Sequence, residues 1–170
     1  MVEENDREVG RGGARLLRRV LFAVAPVVAV SLLGQLATTP NIPTWYAGLD
    51  KPGFTPPNWV FAPVWTSLYL LMAVAAWRLL AAPAGTPGRK LAVWLFYVQL
   101  AFNLAWSWMF FAAQSPLLGA INIVPQWILI VGAIAASWRV DRFAAACLAP
   151  LAAWVAYAAA LNFGVLILNA

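Results

Sequence analysis

The chain has 170 residues, 64% of them hydrophobic and 10% charged, with a net charge of +5. Soluble domains are about 45–50% apolar and roughly 25% charged, so this composition excludes a soluble globular protein. With no histidine and one cysteine, Cys147, a disulfide framework within one chain and a Cys/His metal site are excluded too. Neither a metal nor a cofactor is implied, and Cys147, in an alanine-rich segment, reads as a small packing residue.

Residues 1–19 hold Glu3, Glu4, Asp6, Glu8 and five arginines among glycines, and read as a basic polar N-terminal tail. Everything after it, residues 20–170, reads as one membrane domain. Crossing a bilayer takes about 20 predominantly apolar residues at 1.5 Å each, and five stretches qualify. Residues 20–37 form the first. A proline-rich loop over 38–57 follows, and residues 58–77 form a second span, stopped by Arg78. A Pro/Gly turn over 81–90 leads to a third at 91–113. Gln114-Ser115-Pro116 is a tight connection to a fourth at 117–138, and Arg139–Arg142 separates it from a fifth at 143–168. The fold expected is all-α, a polytopic bundle of five transmembrane helices. A cleaved signal peptide is the rival reading of the start, but the apolar run is long, contains Pro26 and Gln35, and lacks a clear A-x-A site.

The basic residues lie at the ends of these spans, which makes them topology signals and not a nucleic-acid surface. If the spans alternate, Arg7, Arg11, Arg15, Arg18, Arg19, Arg78, Arg89, Lys90, Arg139 and Arg142 share one side, and only Lys51 of the 11 basic residues lies on the other. The positive-inside rule then puts the N-terminus inside and the 38–57 loop outside.

No Asp, Glu, Lys, Arg or His falls inside a predicted span. Charges at mid-membrane mark proton relays and ion paths, so an ion-coupled pump, a charge-ring channel and a voltage sensor are disfavoured. Acid–base chemistry is left with tyrosines, Asp50 and Lys51. What the spans do carry is aromatic and amide. Phe61, Trp65, Tyr69 and Met72 share one helical face. Gln99, Asn103, Trp106 and Phe110 share another. Trp154, Ala158 and Leu161 share a third, with Tyr157 and Asn162 nearby. Such stripes fit helix packing, and they fit an apolar pocket with a few placed polar groups; periodicity alone leaves both open. Trp45 and Trp138 read as interfacial anchors, and Trp94 as facing lipid. Pro56-Pro57 is expected to start the second helix rigidly, beneath a structured loop long enough to be a lid.

The run Trp45-Tyr46, Leu49, Lys51-Pro52, Phe54, Pro56-Pro57, Val60-Phe61, Val64-Trp65, Leu68-Tyr69 resembles the first-loop and second-helix signature of the translocator proteins. This family is also called the tryptophan-rich sensory proteins or peripheral benzodiazepine receptors. Tyr97, Gln99-Leu100, Asn103, Trp106-Ser107 and Phe110-Phe111 look like its third helix. Pro150, Trp154, Tyr157 and Leu161-Asn162 look like its fifth. The resemblance implies a five-helix integral membrane protein, commonly a homodimer, that binds porphyrins and other hydrophobic small molecules under the first loop. By the same resemblance the ligand-binding positions are Tyr46, Pro56, Phe61, Trp65, Tyr69, Asn103, Trp106, Trp154, Ala158 and Leu161. Some bacterial members degrade protoporphyrin in light, which implies Trp65 and Trp154 as candidate catalytic residues. A transporter or regulator of tetrapyrrole or lipid traffic is a further alternative. The membrane expected is that of a prokaryotic cell. Animal members carry a cholesterol motif near the end of the fifth helix, and Leu161-Asn162-Phe163-Gly164-Val165 departs from it, with no tyrosine and no following basic residue.

Overall fold

The computed structural model describes the backbone from Val2 to Ala170, and side chains from Leu16 onward. The acids of the N-terminal segment, with Arg7, Arg11 and Arg15, lie outside the described side chains. Among the described residues there are five long helices and no strand: α1 Val2–Thr38, α2 Phe61–Ala81, α3 Arg89–Ser107, α4 Pro116–Trp138 and α5 Arg142–Leu168. Taken with the adjoining 3-10 or π-helical turns of the first three, they give five stretches of 23 to 27 residues long and apolar enough to cross a bilayer. In a bilayer, helices satisfy every backbone group within the segment, which is why an apolar sequence of this kind resolves into helices alone.

The expected spans are recovered, with informative differences at their ends. The backbone of α1 is helical from Val2, so the segment read as a tail continues the first helix; its apolar, membrane-length part starts at Leu16. No proline interrupts residues 2–25, and Glu, Arg, Leu and Ala are strong helix formers. Arg78 does not stop α2, which runs on to Ala81. Its guanidinium reaches across to Asp141 at 2.7 Å, so the charge leaves the apolar zone while the helix continues. Pro56 and Pro57 precede the second helix and do not form its first turn; that turn is a 3-10 turn over Asn58–Val60. The third span is α-helical only to Ser107, then widens into a π-helical turn over Trp108–Ala112.

Going round the bundle, α1 packs on α2, α2 on α5, α5 on α4, α4 on α3 and α3 back on α1. One buried cluster fills the half of the bundle near the charged turns, with Met72, Leu79, Phe96, Ile130, Leu148 and Leu151 at its centre. A second, smaller cluster lies at the opposite end, built on Tyr46, Phe110, Phe111 and Val165, with Trp45 and Ile42 against it.

Helix starts are set by local chemistry. Ser115 caps α4 by accepting the Leu118 N–H at 3.2 Å, with Pro116 in the first position. Asp141 caps α5 by accepting the Ala144 N–H at 2.9 Å and also receives the Arg78 Nε–H at 2.7 Å. Arg89 donates to the carbonyls of Leu79 and Leu80 at 3.0 and 3.1 Å, so the 82–88 turn is closed by cations over the end of α2.

Burial disfavours the ionised Asp141 carboxyl, but the Ala144 N–H, the Arg78 guanidinium and the Phe143 N–H together outweigh it and hold the group below the usual carboxylate range. A depressed folded-state value means that the ionised cap stabilises the fold above the unfolded carboxyl's value of about 3.9. That contribution is lost as pH falls through the lower, folded value. Asp141→Asn keeps a capping oxygen and removes the charge. It is expected to lower stability by about 0.5–1 kcal/mol at neutral pH, read as a lower Tm in detergent. The gap should close below about pH 4; identical melting at pH 7 would show that the charge contributes nothing.

Candidate ligand-binding cavity

A cavity of about 360 Å³ lies between the two buried clusters. From α2 it is walled by Phe61, Trp65 and Tyr69, from α3 and the π-helical turn by Trp106, Ser107, Phe110 and Phe111, and from α5 by Trp154, Ala158 and Leu161. The remaining wall is α1, through Ser31, Gly34, Gln35 and Thr38, and α4 contributes nothing. Tyr46 and Ile42 of the connecting loop close the top.

The walls are mutually packed aromatics. Phe61 and Trp154 meet edge to face with ring centroids 5.8 Å apart, bringing α2 against α5. Trp65 lies 5.5 Å from Tyr69. Trp106 stacks on Phe110 at 5.0 Å, and Phe110 in turn meets Trp45 at 5.4 Å and Tyr46 at 6.3 Å. Aromatic pairs in these geometries contribute about 0.5–1.5 kcal/mol each beyond area burial. No charged side chain lines the cavity.

Polar groups hold the walls in place. The Tyr69 hydroxyl donates to Asn103 Oδ1 at 3.0 Å. The Trp106 indole N–H donates to Asn162 Oδ1 at 3.1 Å, and Asn162 Nδ2 donates to the Pro116 carbonyl at 2.8 Å. A Cβ on Gly119 would collide with Asn162 Oδ1 and with Phe110, so a glycine there is what lets α4 approach the Asn162 junction.

Eight of the ten positions expected from the sequence line this cavity: Tyr46, Phe61, Trp65, Tyr69, Trp106, Trp154, Ala158 and Leu161. Asn103 and Pro56 do not. Asn103 is 3% exposed and stands behind Tyr69, whose hydroxyl it receives. Pro56 is half-buried in the loop. The α2 and α3 stripes divide along their length: Met72 and Gln99 pack together in the bundle interior, with Gln99 Nε2 directed at Met72 Sδ at 3.8 Å, while the residues nearer the loop face the cavity. Trp45 is no free anchor, being packed against Phe110 and Phe111 in the roof. Trp138 and Trp94 are exposed, at 54% and 59%.

The α1 wall was not anticipated. Ser31, Gly34, Gln35 and Thr38 recur at helical spacing in an otherwise apolar helix, a stripe of small and polar residues that hydrophobic periodicity leaves unmarked.

The loop over the cavity is fastened to α5. A Cβ on Gly164 would collide with the Pro52 ring, which sits in the space that glycine leaves. Asn169 binds the Asp50 backbone twice, accepting its N–H at 3.0 Å and donating to its carbonyl at 2.9 Å. The Tyr157 hydroxyl donates to the Phe54 carbonyl at 2.8 Å. Lys51 folds back onto its own loop, donating to the Leu49 carbonyl at 2.7 Å with its ammonium 4.8 Å from the Tyr46 ring centre.

Five membrane-spanning helices, four of them walling an uncharged aromatic cavity roofed by a fastened loop, define a multi-pass membrane protein with an internal chamber. The chain belongs to the TspO/MBR family, whose family model matches residues 22–168. It is 42% identical to the tryptophan-rich protein TspO of Chlorobaculum tepidum over 84% of this chain and 90% of the relative. The tryptophan-rich protein TspO of Archaeoglobus fulgidus is 35% identical over 89% of this chain and 97% of its own length. The translocator protein of Homo sapiens is 36% identical over 70% of this chain and 71% of that protein.

Gly164→Ala drives a methyl group into Pro52 and is expected to lift the loop from α5 at a cost of about 1–3 kcal/mol. Limited proteolysis in detergent should then cut between residues 44 and 57 several-fold faster than in the parent chain; unchanged cleavage would show that the loop is held without this contact.

Proposed function

We propose that the chamber binds a flat, largely apolar ligand of the tetrapyrrole class, held by stacking between α2 and α5. The observation that carries this reading is the lining itself: tryptophans from three helices, Trp65, Trp106 and Trp154, with no charged side chain among them. A volume of about 360 Å³ lies within the range of small-molecule sites, about 300–1,000 Å³, and towards its lower end. A macrocycle of four pyrroles would therefore fill the chamber and extend beyond it. The family supplies the prior for this ligand class. The homodimer expected from the same resemblance belongs to the proposal: Ala101 is exposed and Ala105 half-exposed one turn apart on α3, a small-residue pair that permits close helix approach.

Orientation follows the charge asymmetry, with the N-terminus inside a prokaryotic cell membrane and the roof loop outside. In a Cys147→Ser background, a cysteine at Thr44 should react with an impermeant maleimide on intact cells, and one at Ala84 only after permeabilisation. The reverse pattern would invert the assignment.

The ligand assignment is tested by porphyrin quenching of tryptophan fluorescence. Trp65→Phe and Trp154→Phe each keep a ring but shrink it, and each should weaken binding by about 1 kcal/mol, several-fold in affinity. Trp94→Phe, on the lipid face, is the matched control and should bind as the parent does. Asn103→Leu should act through Tyr69, at a cost of about 1 kcal/mol, and Tyr69→Phe should reproduce it. Equal binding by all three tryptophan variants would reduce the stripe to packing. The alternative, light-dependent porphyrin degradation through Trp65 and Trp154, is decided in the same samples, by whether illumination consumes the macrocycle in the parent and spares it in either variant.

A further inference from the structure

Every cavity residue on α3 and α5 is buried or half-buried, and the exposed ones fall on one side only. They are Gln35 and Thr39 at the end of α1, and Asn58, Ala62 and Thr66 at the start of α2. The exposed part of the lining thus lies along the seam between the end of α1 and the start of α2, and the α3 and α5 walls carry none of it. Ala62 and Thr66 lie four and eight residues beyond Asn58, about 6–12 Å into the membrane at 1.5 Å per residue, within the near half of a core about 30 Å thick. The roof, in contrast, is pinned to α5 by Asn169, Tyr157 and the Pro52–Gly164 contact. We propose that the chamber loads sideways from the bilayer through this seam, and that Gln35 and Asn58 beside it select ligands carrying a hydrogen-bonding edge on a flat apolar body.

The polarity of the seam supports the second half. Thr66 donates its hydroxyl proton to the Ala62 carbonyl at 2.8 Å, so its oxygen retains only acceptor capacity. Gln35 makes one stretched bond, Nε2 to Ser31 Oγ at 3.4 Å, and the Asn58 side chain makes none among the described residues. Gln35 lies within the membrane-length part of α1, where a weakly bonded amide is costly, and Asn58 stands at the boundary where the second span begins; a polar ligand group at the mouth gives both a partner. Lys51, the basic residue of the roof loop, is engaged on its own loop and lies outside the lining. A ligand's carboxyl or amide edge therefore rests at the mouth, against two amides, while its rings go inward to Trp65 and Trp154. The inference rests on the chamber being a ligand site, but the route can be measured without any ligand.

The test places a cysteine at Ala158, inside the chamber, in the Cys147→Ser chain reconstituted in phosphatidylcholine vesicles. Labelling rates are compared for pyrene maleimide dissolved in the bilayer and for a sulfonated, water-soluble maleimide, each normalised to a Thr44→Cys reference on the exposed loop. The pyrene reagent should react at least ten-fold faster. Adding Ala62→Phe with Thr66→Phe, both exposed positions where bulk projects into the seam, should slow it about ten-fold. Ala62→Leu alone is a milder variant that should slow it less. Asn169→Ala, which loosens the roof, should leave it within two-fold. Faster reaction of the sulfonated reagent, or acceleration by Asn169→Ala with no effect of the seam variants, would overturn the route. For selectivity, Gln35→Leu with Asn58→Leu should lower protoporphyrin affinity about ten-fold relative to unsubstituted porphine, and an unchanged ratio would overturn the role of the two amides. Failure of the parent to bind either macrocycle would overturn that role together with the ligand reading, with the route still decided by labelling.

Discussion

Inside a bilayer no water is available to a polar side chain, so leaving one without a partner in the protein is costly. That cost shapes the bundle. Gln99, Asn103, Asn122, Gln126 and Asn162 are all buried, on α3, α4 and α5, and among the described residues Gln99 Oε1 and Asn122 Oδ1 make no hydrogen bond. Two of them act as junctions: Asn103 receives Tyr69 from α2, and Asn162 links Trp106 of α3 to the Pro116 carbonyl at the start of α4. Individual interhelical hydrogen bonds of this kind average only about 0.6 kcal/mol, so their larger effect is directional. They set which face of each helix turns inward, and so which aromatic rings end up around the chamber.

The two ends of the bundle consequently do different things. Near the charged turns, aliphatic side chains from all five helices interlock, and Arg78, Arg89 and Asp141 finish the helix ends. Towards the roof the packing changes from aliphatic to aromatic. Planar rings meeting edge to face at 5 to 6 Å leave gaps that branched aliphatics would fill, and the cavity is what remains between them. Because α4 stays behind α3 and α5 and contributes no lining, it serves as a rigid back wall, with Trp127 bonded to the Ala152 carbonyl of α5 at 3.0 Å.

Much of this was legible in the residues, and for identifiable reasons. The apolar runs are long and separated by charge, so all five spans were visible, and the fourth and fifth matched to within a residue. The α2 and α5 stripes are visible because aromatic residues at helical spacing stand out against aliphatic ones, but periodicity alone fits packing as well as a pocket. The α1 wall was missed because Ser31, Gly34, Gln35 and Thr38 are small or polar and form no aromatic signal. Asn103 was assigned to the lining by resemblance, yet its stripe turns into the interior just where the cavity ends; only the neighbouring helix reveals that Tyr69 stands in front of it. The hold of the loop on α5 was likewise out of reach, since Asp50 and Asn169 are 119 residues apart and bond through backbone on one side. Conversely Arg78, read as a stop, is a continuation, because its partner at Asp141 is supplied by a distant turn.

The π-helical turn at Trp108–Ala112 has a consequence for how this architecture changes over time. A turn of this kind carries one more residue than an α-helical turn, and here it brings the consecutive side chains Phe110 and Phe111 both to the interior. It sits in the last turn before the short connection at Gln114, whose left-handed backbone and bond to Asn41 at 3.1 Å re-aim the chain into α4. An inserted or deleted residue at that point would be absorbed in the turn and the connection, leaving the register of α3 below Ser107 and of α4 beyond Pro116 intact. The ceiling of the chamber can therefore be recut by a single codon, without renegotiating the helices that support it.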